Sequence, residues 1–415
     1  MSDETLASAP GWRRYRTTVI GSVLIGVGLL GYMAWGRWQK SWPVHLREQM
    51  RHAAAEGRWP EVGQLSRQMT ELIPEDGDAW LLRARAAQQQ GDATGAEAFL
   101  LKIPAGHPQK MMALRGLAEL QIGPLNHWRA AASTFHQMLQ LNPQLKYAQQ
   151  RLIFFYAMTF QRQELTRQAR RAMELQCEPI ESYVYVFFSD SLHFTNGAAL
   201  NHHWLADDPN SELFTVAEAI HMASALQGAA PRDDLEVVRR IRRMADEKER
   251  VLAELFRKYP LNRELLAWQI DRAIELGDVG RVVDLLGKLP PEADDDNRFQ
   301  RFAGWAHAQL GDEGRAQQSY NNALRLHPLD WSTRHLLADL RRQQQQFNEV
   351  DRLEKLAVLA NELRRALDVL PDARSVPKSL LEKLADYAAQ CGDELYARSL
   401  RRQLSLPPDQ REWKE

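Results

Sequence analysis

Two hydrophobic patterns divide this chain. The first is an unbroken run, TTVIGSVLIGVGLLGYMAWGRW from Thr17 to Trp38, uncharged until Arg37. The second begins at Pro43 and is a rhythm of short amphipathic stretches, with apolar residues three and four places apart as on one helix face. Its clearest block is NRFQRFAGWAHAQLGDEGRAQQSYNNALRLHPLD, from Asn297 to Asp330. Numbered 1 to 34, this block has Gly304 at place 8, Trp305 at 9, Gly311 at 15, Ala316 at 20, Tyr320 at 24, Ala323 at 27 and Pro328 at 32. The spacing predicts two helices joined by a Gly-Asp turn. Gly311 suits the left-handed residue that often ends a helix, and Pro328 cannot continue the second one. Small residues at places 8, 20 and 27 let the two axes approach to roughly 8–10 Å.

The same markers recur in step. Gly57 to Gly91 and Pro74 to Pro108 are each 34 residues apart, and Pro260 to Pro328 is 68. Units open at Pro43, Gly77, Met111, Lys146, Arg263, Asn297, Trp331 and Lys378; the Met111 unit has one extra residue near Gly123 and Pro124, and Phe160 and the run Gln343 to Gln346 stand where two turn glycines belong. Between Ile180 and Leu261 the register degenerates into one atypical and one enlarged repeat, or else a break into two lobes.

These residues resemble the tetratricopeptide repeat, a 34-residue helix–turn–helix, with Gln300 and Ala303 replacing its leading Trp and Leu. The resemblance implies an all-α fold, an α-solenoid in which helix pairs stack into a right-handed superhelix, here preceded by one transmembrane helix. The layout reads as a tail 1–16, a membrane helix 17–38, repeats 43–179, degenerate or enlarged repeats 180–262, repeats 263–364, a spacer 365–377 and a C-terminal capping repeat 378–411.

About 20 apolar residues suffice for one ~30 Å crossing. Trp12 and Tyr15 before the run, and Tyr32, Trp35, Trp38 and Trp42 at its far end, suit headgroup depth. The run exceeds the usual core of a cleaved signal peptide, so it reads as an uncleaved single-pass anchor. Arg13, Arg14 and Arg16 precede it, while Arg37, Lys40, Arg47 and Arg51 follow. Because Arg47 and Arg51 belong to a folded helix, the orientation leans towards an extracytoplasmic body.

Composition narrows the function. Lys plus Arg number 53 against 54 Asp plus Glu, a balance with no broad field for nucleic acid. Cys177 and Cys391 form no CxxC, so no disulfide framework or zinc knuckle is read. No phosphate-binding, nucleophile-elbow, HExxH or dinucleotide fingerprint is present, so no enzyme and no cofactor are expected. The alternatives are a metal-dependent enzyme centred on 180–260, where His193, His202, His203 and His221 fall near Asp207 and Asp208, and a purely structural array that self-associates as a homo-oligomer.

The resemblance implies docking of a protein or peptide in a concave groove lined by places 2, 5, 9 and 12 of each first helix. Those places give an arginine wall of Arg47, Arg51, Arg85 and Arg115, suited to a carboxylate or acidic peptide. An apolar middle follows with Tyr147, Phe154, Val184 and Phe188. A third group is Arg298, Arg301, Trp305, His335 and Arg342, where Trp and Arg together make a hot-spot composition. The expectation is a membrane-anchored, non-enzymatic scaffold.

Overall fold

The structure is a computed structural model and describes residues 42–224 and 235–407. The expected tail 1–16 and membrane helix 17–38 lie outside the described residues. Among those residues, no helix is long and apolar enough to cross a membrane.

The described residues are helical, without a strand, and form a tetratricopeptide-like series of helix pairs. The first pairs are α1 (42–55) with α2 (Trp59–Leu72), α3 (Gly77–Gln89) with α4 (Ala93–Leu101), α5 (Lys110–Ile122) with α6 (Trp128–Leu141), and α7 (Lys146–Met158) with α8 (Arg162–Glu174). The degenerate stretch holds α9 (Glu181–Phe187), which packs on α8, then α10 (Gly197–Leu205) against α11 (Glu212–Ser224), which also meets α12 (Leu235–Lys258). The remainder are α13 (Arg263–Glu275) with α14 (Val279–Leu286), α15 (Asn297–Gln309) with α16 (Glu313–Leu326), α17 (Trp331–Gln343) with α18 (Phe347–Asp368), and α19 (Lys378–Gln390) with α20 (Glu394–Ser405). The chain divides into two compact units at Leu120 and Gln121.

The turns show why the period is 34. Gly57, Gly91, Gly277, Gly311 and Gly392 all have positive φ, between 71° and 80°. The residue after each sends its N–H five residues back, as in Asp312 N–H to the His307 carbonyl at 2.9 Å and Asp393 N–H to the Ala388 carbonyl at 2.9 Å. That bond satisfies an orphan carbonyl at the helix end. The same residue then caps the next helix: Asp92, Asp278, Asp312 and Asp393 each accept from a backbone N–H three residues on. One Gly-Asp pair thus stops one helix and starts its partner.

Where glycine is missing the geometry persists. Phe160 has φ 54° and Gln345 φ 60°, and Gln161 N–H and Gln346 N–H make the same five-residue bonds at 2.9 Å. A side chain in the left-handed region crowds the following carbonyl. Gln345 is exposed, so Gln345→Gly should relieve that strain and stabilise the second unit by about 1 kcal/mol, net of the entropy glycine loses on folding. The urea midpoint checks this, and an unchanged or lowered midpoint contradicts it.

Helix crossings need the small residues the pattern supplies. A Cβ built on Gly304 meets the Tyr320 ring at 2.5 Å, and Tyr320, Ala316 and Ala323 are almost wholly buried. Gly304→Ala should therefore overpack the crossing of α15 and α16 and cost about 1–3 kcal/mol, read as a lower thermal midpoint; Gly314→Ala, where the nearest atom is 3.8 Å away, is the control.

The second unit departs from a solenoid whose repeats touch only their neighbours. Its last helix, α20, packs against α8. Tyr396 Oη donates to the Tyr183 carbonyl at 2.8 Å, and the Arg170 guanidinium forks onto Asp393 at 3.0 and 2.6 Å. Arg402, read as part of a terminal cap, reaches the buried Glu178 carboxylate. The degenerate segment is held by Trp204, whose ring lies 4.9 Å from that of Trp128 and 5.5 Å from that of Phe214.

Candidate functional site

In the first unit the arginine wall is mostly open. Arg51 stands 3.9 Å from Asp78, Arg85 lies exposed with its guanidinium 5.5 Å above the Trp59 ring, and Arg115 bonds Glu119 one turn on at 3.1 Å. Exposed pairs of this kind are worth about 0–1 kcal/mol, so Arg51 can exchange Asp78 for another carboxylate at little cost. Arg47 differs. Its Nη2 donates to Asp76 Oδ2 at 2.7 Å, and Asp76 also caps α3 through Ala79 N–H at 3.0 Å. Arg47 is therefore committed to the fold.

In the second unit Arg298, buried, and Arg301, half-buried, which the spacing puts on the groove wall, are both held in ion pairs. Arg298 Nη2 donates to Asp296 Oδ2 and to Glu264 Oε1, each at 2.6 Å. Arg162, opening α8, donates to Glu264 Oε2 at 3.0 Å and to the Ser189 carbonyl. Arg301 Nη1 donates to Asp190 Oδ2 and Asp330 Oδ2, both at 2.6 Å. Asn297 Nδ2 donates to the same two oxygens at 2.8 and 2.9 Å. Asp330 is also the cap of α17 through Thr333 N–H at 2.9 Å.

Charge controls this cluster. Burial works against the Arg301 charge, but the Asp330 and Asp190 carboxylates raise its proton affinity above the ordinary guanidinium value. Burial likewise pushes the Asp330 carboxyl up, yet Arg301 outweighs it and holds it at about 2. Arg298 and Glu264, each at place 2 of its unit, are paired here, and the chain's own acids occupy both arginines. Asp190 enters from the connection after the seven-residue α9, a segment without repeat register.

The other expected residues divide. Arg342 is exposed and bonds Asp339 at 2.5 Å and Glu354. Trp305 is half-buried against a cluster that includes Phe299 and Phe302. Tyr147 packs edge-on to Phe135 at 5.8 Å, beneath the Arg151 guanidinium. Phe154, half-buried, and Phe188, buried, are brought together. Both line a hollow of about 570 Å³ with Val184 and Leu192, closed on another side by Leu370 and Val376 of the spacer. A second hollow of about 570 Å³ shares Phe188, Leu192, His193 and Asp368 with the first and reaches Arg162, Asp190 and Asp271. Volumes of this size accept substantial ligands.

The histidines do not converge. His193 lines both hollows, while His202 Nδ1 is 3.0 Å from Glu218. The His203 carbonyl accepts from Asn126 at 2.8 Å, and His221 is buried with Nε2 2.9 Å from the Met158 carbonyl. Among the described residues, no three or more His, Cys, Asp or Glu side chains are grouped to hold a metal ion.

Sequence reasoning missed Glu264 and Asp271, although they occupy places 2 and 9 of the Arg263 unit and its own positional rule names them. For Asp190 no sequence signal existed.

No protein-family model matches the chain, and no curated protein matches it. Solved structures do resemble it. A tetratricopeptide repeat protein from Parabacteroides merdae is 14% identical, with 72% of this chain and 98% of that one covered and a TM-score of 0.25. The Cut9–Hcn1 hetero-tetramer of APC/C is 11% identical over 88% of this chain and 87% of that one, TM-score 0.32. Yeast Tom70 is 15% identical over 87% and 84%, TM-score 0.26. At such TM-scores the helical-repeat assignment rests on the chain's own turns and crossings, which are those of a tetratricopeptide-like array.

Proposed function

We propose that this chain is a non-enzymatic scaffold that docks a partner protein or peptide on the inner faces of its helix pairs. The apolar run 17–38 tethers it to a membrane, with the helical body on the extracytoplasmic side. The observation that carries this reading is positional: Phe154 of α7, Phe188 at the end of α9 and Asp271 of α13 line adjoining hollows. Repetition places equivalent residues on one wall, and a wall of that kind reads an extended ligand residue by residue. Tethering adds to this by raising the partner's effective concentration at the bilayer without any new contact.

The test is affinity capture by the full-length chain in detergent, from a membrane extract of its own organism. A discrete partner lost on Phe154→Ala, in the wall of the hollow, but kept with Phe347→Ala on an exposed site, supports docking. Equal capture by every variant, or stoichiometric bound zinc lost with His202→Ala, contradicts it. An alkaline phosphatase fused to the C-terminus is active only if the body is extracytoplasmic.

A further inference from the structure

The charge inventory of the second unit's hollows points to the kind of ligand they take. Arg162 is matched by Glu264 at 3.0 Å, Asp190 by Arg301 at 2.6 Å, and Asp368 by Arg364 at 2.9 Å. In the apolar hollow Arg374 is matched by Glu181 at 3.0 Å, and Asp372 accepts only a backbone bond, from Arg374 N–H at 3.0 Å. Apart from His193, which lines both hollows, what is left without an ion pair among the described residues is anionic. Asp271 lines the hollow and, among the described residues, has neither a hydrogen bond nor an ion pair. It is exposed to the water of the hollow; the walls around it still push its carboxyl up to about 6, by desolvation, against the pull of Arg301 and Arg298. A carboxylate held in this way gains from any cation brought beside it.

An acidic ligand is disfavoured at the same place. It would have to displace Asp190 or Glu264, each held by two or more bonds of 2.6–3.0 Å, and leave a buried acid unpaired. The adjoining volume is apolar, walled by Phe154, Val184, Phe188 and Leu370. We propose that the second unit binds a peptide segment in which an arginine or lysine adjoins a bulky apolar side chain, the cation meeting Asp271 and the apolar group entering between Phe154 and Phe188. This deepens the docking reading and rests on it.

The probe is a fluorescein-labelled, end-blocked hexapeptide Gly-Leu-Phe-Arg-Leu-Gly, titrated by anisotropy with the full-length protein in detergent. Two further probes carry Gln or Glu in place of Arg. The arginine peptide is expected to bind at least tenfold more tightly than the glutamine peptide, and the glutamate peptide not at all. Asp271→Asn is expected to abolish the preference for arginine over glutamine without lowering the thermal midpoint, since Asp271 pairs with nothing in the fold and its charge is disfavoured there. An arginine preference that survives Asp271→Asn overturns the proposal, and so does equal binding of the three peptides. If these probes fail while an array of random peptides yields acidic binders, the proposal falls and docking stands. If no peptide on the array binds the folded chain, both fall.

Discussion

Arg301→Ala is expected to lower the stability of the second unit by about 3–5 kcal/mol, because it leaves the carboxylates of Asp190 and Asp330 facing each other in the interior. Both accept from the same guanidinium nitrogen at 2.6 Å, and Asp330 is almost fully buried. Burying an ion is costly unless its partner is present, so most of the loss comes from the stranded acids and not from the missing bonds. Arg301→Ala combined with Asp190→Asn should therefore be more stable than Arg301→Ala alone. By contrast Arg51→Ala, at an exposed arginine 3.9 Å from Asp78, is expected to change stability by less than about 1 kcal/mol. Urea unfolding of the full chain separates these cases: midpoints for Arg301→Ala and Arg51→Ala that fall equally would contradict the assignment.

Acid should destabilise the chain in two stages, and the first belongs to His221. Its ring is buried between Phe160 and Phe194, 4.3 and 5.9 Å away, and above Gly197. Desolvation disfavours its charged form and lowers its pKa from 6.5 to about 4. The unfolded chain thus binds a proton in a range where the folded chain does not. This contribution is complete above pH 6.5 and disappears as pH falls towards 4. At about 1.4 kcal/mol for each pH unit of that gap, it is worth up to about 3 kcal/mol. The second stage lies lower, where Asp330, held at about 2 by Arg301, gives up stability that is present above the ordinary carboxylate range. Asp271, raised to about 6, gains stability on protonation in the same window and opposes this stage, while the lowered His327 and His136 add to it. The test is therefore a difference: His221→Gln should weaken the acid loss between pH 6.5 and 4.5 and leave the second stage. Equal pH dependence of the wild type and His221→Gln in that window would contradict this assignment.

Much of the repeat was legible because its signals are local. A glycine in a left-handed turn, an aspartate cap behind it and an alanine at a helix crossing are each demanded by neighbours within a few residues. Gly57, Gly91, Gly277, Gly311 and Gly392 accordingly close the bends their spacing assigned. Even Phe160 and Gln345, wrong residues for such turns, could be located by counting from the glycines. The interior of the second unit was not legible. Arg162 meets Glu264 102 residues away, and Arg301 meets Asp190 111 residues away. No period relates such partners, so arginines spent on the fold look in sequence like arginines free to bind. The packing of α20 on α8 was hidden for the same reason: Tyr396 and Tyr183 are 213 residues apart. The apolar run 17–38 falls outside the described residues.

The claim on which the functional reading turns is that ligands enter the inner wall, not the outer face. A photo-crosslinking phenylalanine analogue replacing Phe154, which lines the hollow, can be compared with the same group at the exposed positions Leu310 and Phe347. With the full-length protein and its captured partner, irradiation should give a covalent adduct from position 154 and none from 310 or 347. Adducts from the two exposed positions, with none from 154, would show that the partner rides on the outside of the array and that the hollow is not its site.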